Sequence, residues 1–294
     1  MIGDRSWKIV SLGPLATLLV VFTMLPVLQI LWMVFHELEW SDGQAVTTFG
    51  GLGNIRKFIA DLFYWPGLWN TIYFAFFAVV IQFIIGLSLA LAVAGMKGWV
   101  RVVAIFVMLL PVVTPPIVIG AVWNLLYNAD FGAINLFLSS VGLPKQNWIS
   151  SPDTALWAVI IVDVWHWTPF VFLLLLTGRE GLPEEVYEAA ELDTQNRWQI
   201  LRHITLPLMM PVIIATLILR MILSFKVFDE IYLLTSGGPG TATEVVSLSI
   251  QRAYFGQDDV GLGSVMSLFT LSVVAGLALA TLWFQRYMIG RSGT

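Results

Sequence analysis

Long apolar runs recur along the chain, separated by polar segments rich in Gly, Pro, Asn and Asp. Six of them, at about 10–35, 68–95, 101–127, 154–178, 207–234 and 261–287, are long enough to cross a bilayer as helices. No stretch alternates apolar and polar residues in the way a membrane barrel needs, and no internal repeat is visible. The pattern predicts an all-α polytopic membrane protein: a polar start over 1–9, then one transmembrane domain over 10–294. The first run exceeds a signal-peptide core and lacks a small-residue cleavage site, so it reads as a retained span. The segment between spans one and two is polar and Gly-rich with room for a short helix, and residues 237–240 form a Gly-Gly-Pro-Gly turn between spans five and six.

Composition agrees with this division. Hydrophobic residues make up 58% of the chain and charged ones 12%, with a mean hydropathy of +0.83. A soluble chain of this length could not bury so much apolar surface. The absence of Cys excludes disulfides and thiolate chemistry, and three His residues indicate no metal site. A net charge of −4 without a basic tail points to no nucleic-acid partner. Lys and Arg set the orientation. Arg5, Lys8, Lys97, Arg101, Arg179, Arg197, Arg202, Arg286 and Arg291 fall on one side, against Arg56, Lys57, Lys145 and Arg252 on the other. The side with nine is cytoplasmic, and both termini lie there.

One cytoplasmic connection stands apart. Residues 187–208 read YEAAELDTQNRWQILRHITLPL, a polar, helix-forming segment in an otherwise apolar chain. Pro183, Glu184 and Glu185 suit a helix start, and Asp193-Thr194 reads as a break and a cap for a second short helix over 195–203. Arg202 and His203 suit the end of that helix, and Pro207 then punctuates the return to the membrane. The product is a helix-turn-helix; an amphipathic connector on the bilayer surface fits the same pattern.

These residues carry a resemblance. Glu188-Ala189-Ala190, followed by Ile204, Leu206 and Pro207, is similar to the Glu-Ala-Ala loop of ABC-importer permeases. Thr194 stands where that pattern has Gly, which implies a wider or more strained turn. Asn70-Thr71, LLPVVTPPIVIGAVWNLLYNADFGAIN at 109–135 and FKVFDEIYLLTSGGPG at 225–240 resemble the carbohydrate branch of these permeases, the disaccharide and glycerol-phosphate type. The resemblance implies a permease subunit of a bacterial inner-membrane importer for a sugar or sugar derivative, leaving open a neutral, phosphorylated or sulfonated one. It also implies a homologous second permease, two ATPase subunits that hold the ATP and Mg, and an extracytoplasmic solute-binding protein. The loop 179–206 would dock on the ATPase through Tyr187, Glu188, Ala189, Ala190, Asp193, Thr194, Ile204, Leu206 and Pro207, with Glu188 as its charged contact. The chain has no G-x-x-x-x-G-K-[ST] phosphate loop, so it is not an enzyme and binds no cofactor of its own.

Ionisable residues inside spans are candidates for function. In span four, Asp163, His166 and Trp167 fall at i, i+3 and i+4 and share a face, with Pro169 beside them. Donors, acceptors and an aromatic face on one stripe suit a sugar; a buried polar pair tying helices together is the plainer account. Span five offers Arg220 and Ser224, and Val112 and Pro116 of the Pro-rich third span join the candidate path. Arg220 either pairs with Asp163 or another acid, or receives an anionic group of the substrate. Lys226, Asp229 and Glu230 share a face near the outer end of span five and read as a self-compensating cluster; Asp258-Asp259 reads as a solvated loop. A secondary transporter using Asp163 and His166 as a proton relay is the alternative, which the helix-turn-helix and the lack of an inverted repeat disfavour.

Overall fold

The computed structural model describes residues 4–41, 44–194 and 196–291, without the side chains at 4–10, 39–41, 191, 282 and 284–291. The side chains of Arg5, Lys8, Arg286 and Arg291 in the charge count, and Gln195 at the start of the second short helix, lie outside that description. Two compact units are present: residues 1–64 with 249–273, and residues 65–248 with 274–294.

In the first unit, helix α1 (Asp4–Met33) runs into an antiparallel hairpin of β1 (His36–Ser41) and β2 (Gln44–Phe49), registered from His36 opposite Phe49 to Ser41 opposite Gln44. The hairpin is a small two-stranded addition to a fold that is otherwise all-α, as expected. The Asp42-Gly43 pair between two short runs containing Trp, Val and Thr is its sequence signal. The short helix expected in this segment is α2 (Gly53–Ile59). Asn54 on α2 donates to the carbonyls of Val34 at 3.1 Å and His36 at 2.9 Å, closing the end of α1 against the hairpin. Asp259 is no solvated loop residue: it pairs with Lys57 at 3.0 Å and accepts from the Leu262 amide at 2.9 Å. Partial burial lowers the Lys57 pKa, but Asp259 and Glu37 outweigh it and leave the ammonium above its ordinary value.

The second unit holds the spans that concern function. Span two is α3 (Tyr64–Ala94). Asn70 and Thr71 anchor it: Asn70 donates to the carbonyls of Thr241 and Glu244, and Thr71 Oγ1 accepts from the Val246 amide. Span three is not one straight helix. It is α4 (Gly98–Val113) followed by α5 (Pro116–Leu126), bent by 94°. The cause is the Pro115-Pro116 pair. Each proline forces its predecessor out of the helical region, and Thr114 and Pro115 are extended, with ψ of 128° and 141°. Helix α6 (Ala133–Ser140) follows, held by Asn135, which is buried and bonds the Gln146 backbone in both directions as well as the Trp148 indole.

Span four is α7 (Pro152–Glu180). After it come α8 (Glu184–Asp193) and α9 (Arg197–Ile200). A π-helical turn, Leu201–Thr205, joins α9 directly to α10 (Leu206–Ser224). The second short helix therefore does not end at Arg202 and His203, and Pro207 does not interrupt the chain. The wider turn lets the Leu206 amide reach the Leu201 carbonyl just ahead of the residue that lacks a donor. Span five breaks after Ser224 and resumes as α11 (Asp229–Leu234). Helix α12 (Val246–Gln251), a second π turn (Arg252–Gly256) and α13 (Val260–Arg291), which is span six, complete the chain. Among the described residues, five helices are long and apolar enough to cross a membrane, six if the bent pair counts as one span.

Among the described residues, two apolar clusters pack the unit. One gathers Phe74, Ile119, Ile160, Val162 and Ile231; the other gathers Val93, Phe172, Leu175, Met209 and Ile213. Helix α7 contributes to both, through residues 158–162 and 171–176. Its polar residues lie between.

Candidate functional site

Three side chains from three helices close a ring at this polar level. Asp163 Oδ2 on α7 accepts from Arg220 Nη2 on α10 at 2.5 Å and from Gln82 Nε2 on α3 at 2.8 Å. Arg220 Nε donates back to Gln82 Oε1 at 2.7 Å. All three are buried, Arg220 to 2% exposure. Burying an ion costs several kcal/mol, and only a geometry that satisfies both charges offsets it. Here the two charges face each other and Gln82 uses both ends of its amide, one on each partner. The Arg220 guanidinium carbon lies 5.1 Å from the centre of the Trp167 ring.

Beside the ring, His166 Nδ1 meets Glu230 Oε1 at 2.8 Å, both buried. The break in span five makes this contact. Phe225 to Phe228 leave the helical path, so α11 starts anew and turns Glu230 inward while Lys226 and Asp229 stay exposed. The three do not act as one self-compensating cluster.

A cavity of about 210 Å³ opens over these groups, lined by Asp163, His166, Trp167, Arg220, Glu230 and, from the bend of span three, Pro116. Lys226 and Asp229 also reach it. The structure thus brings five of the seven path candidates together. Val112 is half-buried in α4 before the bend and does not line the cavity. Ser224 is buried away from it, its hydroxyl unpartnered among the described residues. The reading missed Gln82 and Glu230. Gln82 had a signal, a lone amide in the apolar run AVVIQFIIG. A straight span five would carry Glu230 to the outer interface; the break after Ser224 brings it inward instead.

The loop 179–206 has a different character. Thr194 is extended, with φ −153° and ψ 139°, a conformation open to any residue, so its replacement of Gly carries no strain. The cap of α9 is Asn196, whose Oδ1 accepts from the Trp198 amide at 3.0 Å, rather than Asp193 or Thr194. Thr194 Oγ1 bonds Gln199 Oε1 at 2.6 Å across the turn. Tyr187 faces inward: Arg179 stacks on its ring at 3.9 Å and its hydroxyl donates to Thr205 Oγ1 at 3.0 Å. Ala190 is buried, Ile204 and Leu206 are half-buried, and Glu188, Ala189, Asp193 and Pro207 are exposed. So are two large apolar side chains, Leu192 at 90% and Trp198 at 77%.

Residues 82–292 match the family described as binding-protein-dependent transport system inner membrane component. The chain belongs to that family. This permease is 38% identical over 277 residues to the trehalose/maltose transport system permease protein MalF of Thermococcus litoralis, covering 93% of this chain and 92% of that one. It is 30% identical to the sulfoquinovosyl glycerol transport system permease protein SmoG of Agrobacterium fabrum, covering 92% and 88%. Its fold is similar to a chain of a bacterial alginate ABC transporter crystallised with an alginate pentasaccharide-bound periplasmic protein, with a TM-score of 0.84 at 20% identity over 97% of this chain and 96% of that one. The permease is a multi-pass membrane subunit of the carbohydrate branch of ABC importers, working with ATPase and solute-binding subunits. It performs transport rather than catalysis, and the ion-coupled alternative is set aside.

Proposed function

We propose that this permease forms one half of the translocation path for a sugar or sugar derivative, with the cavity at Asp163, His166, Trp167, Arg220 and Glu230 as its cargo contact. The observation that carries this is the cavity itself. Hydrogen-bonding groups and the face of Trp167 border one space at the level where the spans are otherwise apolar. Sugar hydroxyls need donors and acceptors, and sugar rings favour aromatic faces. The similarity to a trehalose/maltose permease and to a sulfoquinovosyl glycerol permease supports the cargo class. Since Arg220 is already satisfied by Asp163 and Gln82, its charge serves the fold first, which favours an uncharged sugar over an anionic one.

In the same reading both termini and loop 179–206 are cytoplasmic. The loop docks on an ATPase through Glu188, with Leu192 and Trp198 as apolar anchors, while Tyr187, Ile204 and Leu206 hold it against the spans. Closure of an ATPase pair then moves α8, and the unbroken path from α9 into α10 carries that motion to Arg220. The working unit is this permease, a homologous second permease, two ATPase copies and an external binding protein. Tagging the chain in its host, extracting it in mild detergent and weighing what co-purifies tests the assembly. An ATPase at two copies with a second six-span protein supports the reading, and the captured binding protein can then be screened against sugars. A chain that purifies alone and transports without ATP would overturn it.

A further inference from the structure

A second polar cavity, of about 490 Å³, lies between the ends of α3 and α7, helix α8 and the segment that joins α9 to α10. Its wall is divided. Leu91, Ile200 and Leu201 supply an apolar part, Arg179 and Arg197 a cationic part, and among the described residues no carboxylate lines it. Among the described residues neither arginine has a carboxylate partner. Two guanidinium groups border this cavity, Arg179 also bordering a neighbouring one that Glu180, Glu184 and Glu188 line, and their planar forks match the oxygens of a phosphate. The apolar part matches a hydrocarbon stem. Basic pockets between spans on the cytoplasmic side lie where anionic headgroups gather.

We propose that this cavity binds the phosphate headgroup of an anionic phospholipid, with the upper acyl chain along Leu91, Ile200 and Leu201. A soluble phosphate shares the polar chemistry but leaves the apolar wall uncovered. The site borders a brace: Arg179 stacks on Tyr187, and Tyr187 bonds Thr205 in the π turn at the head of span five. A lipid held there steadies the loop on the membrane, so the coupling element and the bilayer act as one support. The inference rests on the cytoplasmic placement of the loop proposed above.

The test is native mass spectrometry of the assembled importer offered phosphatidylglycerol and phosphatidylethanolamine in equal amounts. Phosphatidylglycerol is expected to be retained in preference. Arg197→Gln, at an exposed position that risks no folding defect, should lower that retention about fivefold, the effect of one surface cation on an anionic headgroup. Arg197→Lys should keep most of it, and millimolar inorganic phosphate should not displace the lipid. Equal retention of both lipids, or no change in Arg197→Gln, overturns the site. Inorganic phosphate binding without any lipid preference overturns the lipid as its source. Failure to recover an ATPase with the chain would count instead against the proposed function, because lipid retention is read separately from assembly.

Discussion

The ring in the middle of the spans and the loop 179–206 both concentrate charge in a chain that has little of it, and they use it in opposite ways. Asp163, Arg220 and Gln82 satisfy one another almost completely and are almost wholly buried. Glu188, Leu192 and Trp198 are left open, Leu192 at 90% and Trp198 at 77% exposure. Self-satisfied charge holds helices together, whereas the open surface is where the proposed function places an ATPase. The contrast separates what this subunit does alone from what it does in a complex.

Breaking the sealed side has the largest expected effect. Arg220→Ala leaves the Asp163 carboxylate buried without its cation and should cost about 3–5 kcal/mol, read as a lower melting temperature of the purified complex. The double change Asp163→Leu with Arg220→Met should recover much of that stability without restoring uptake. If it restores uptake, the ring is a structural tie and nothing more. On the open side, Trp198→Ala should leave melting unchanged within about 0.5 kcal/mol yet weaken ATPase co-purification at least about 30-fold, as for a buried aromatic anchor. A drop in melting temperature without loss of ATPase would reverse the assignment.

Smaller changes sharpen the boundary between the two regions. Gly178 on α7 faces Val212 on α10, where a Cβ would lie 2.6 Å from Val212 Cγ1. Gly178→Ala should push the helices apart and cost about 1–3 kcal/mol, measurable in the same melting assay. Thr194→Gly should be slightly destabilising, by less than about 1 kcal/mol, since it loosens an extended residue and removes the bond to Gln199. A stabilising effect would mean that Thr194 is strained after all.

Much of this was legible in the chain. The spans follow from apolar length, and Asp163, His166, Trp167 and Arg220 follow from the cost of polar groups at that depth. What escaped were the interruptions. A run of apolar residues reports that a segment is buried in lipid or protein, not that it is straight. The Pro115-Pro116 pair could have signalled the bend of span three, because two successive pre-proline positions cannot both stay helical. The break at Phe225–Phe228 has no proline to announce it, so Glu230 looked peripheral until its contact with His166 was seen. Thr194 misled for the converse reason: a motif position usually held by Gly need not adopt a conformation that only Gly tolerates.

The central claim is that the open face of the loop, and not the sealed ring, transmits the work of ATP hydrolysis. It is tested most directly by the ratio of ATP hydrolysed to solute taken up in proteoliposomes holding the whole importer, with Glu188→Lys set beside the unaltered chain. Reversing an interfacial charge that leaves the fold intact should let hydrolysis continue while uptake falls, raising the ratio at least ~10-fold. An unchanged ratio at unchanged uptake would contradict the account.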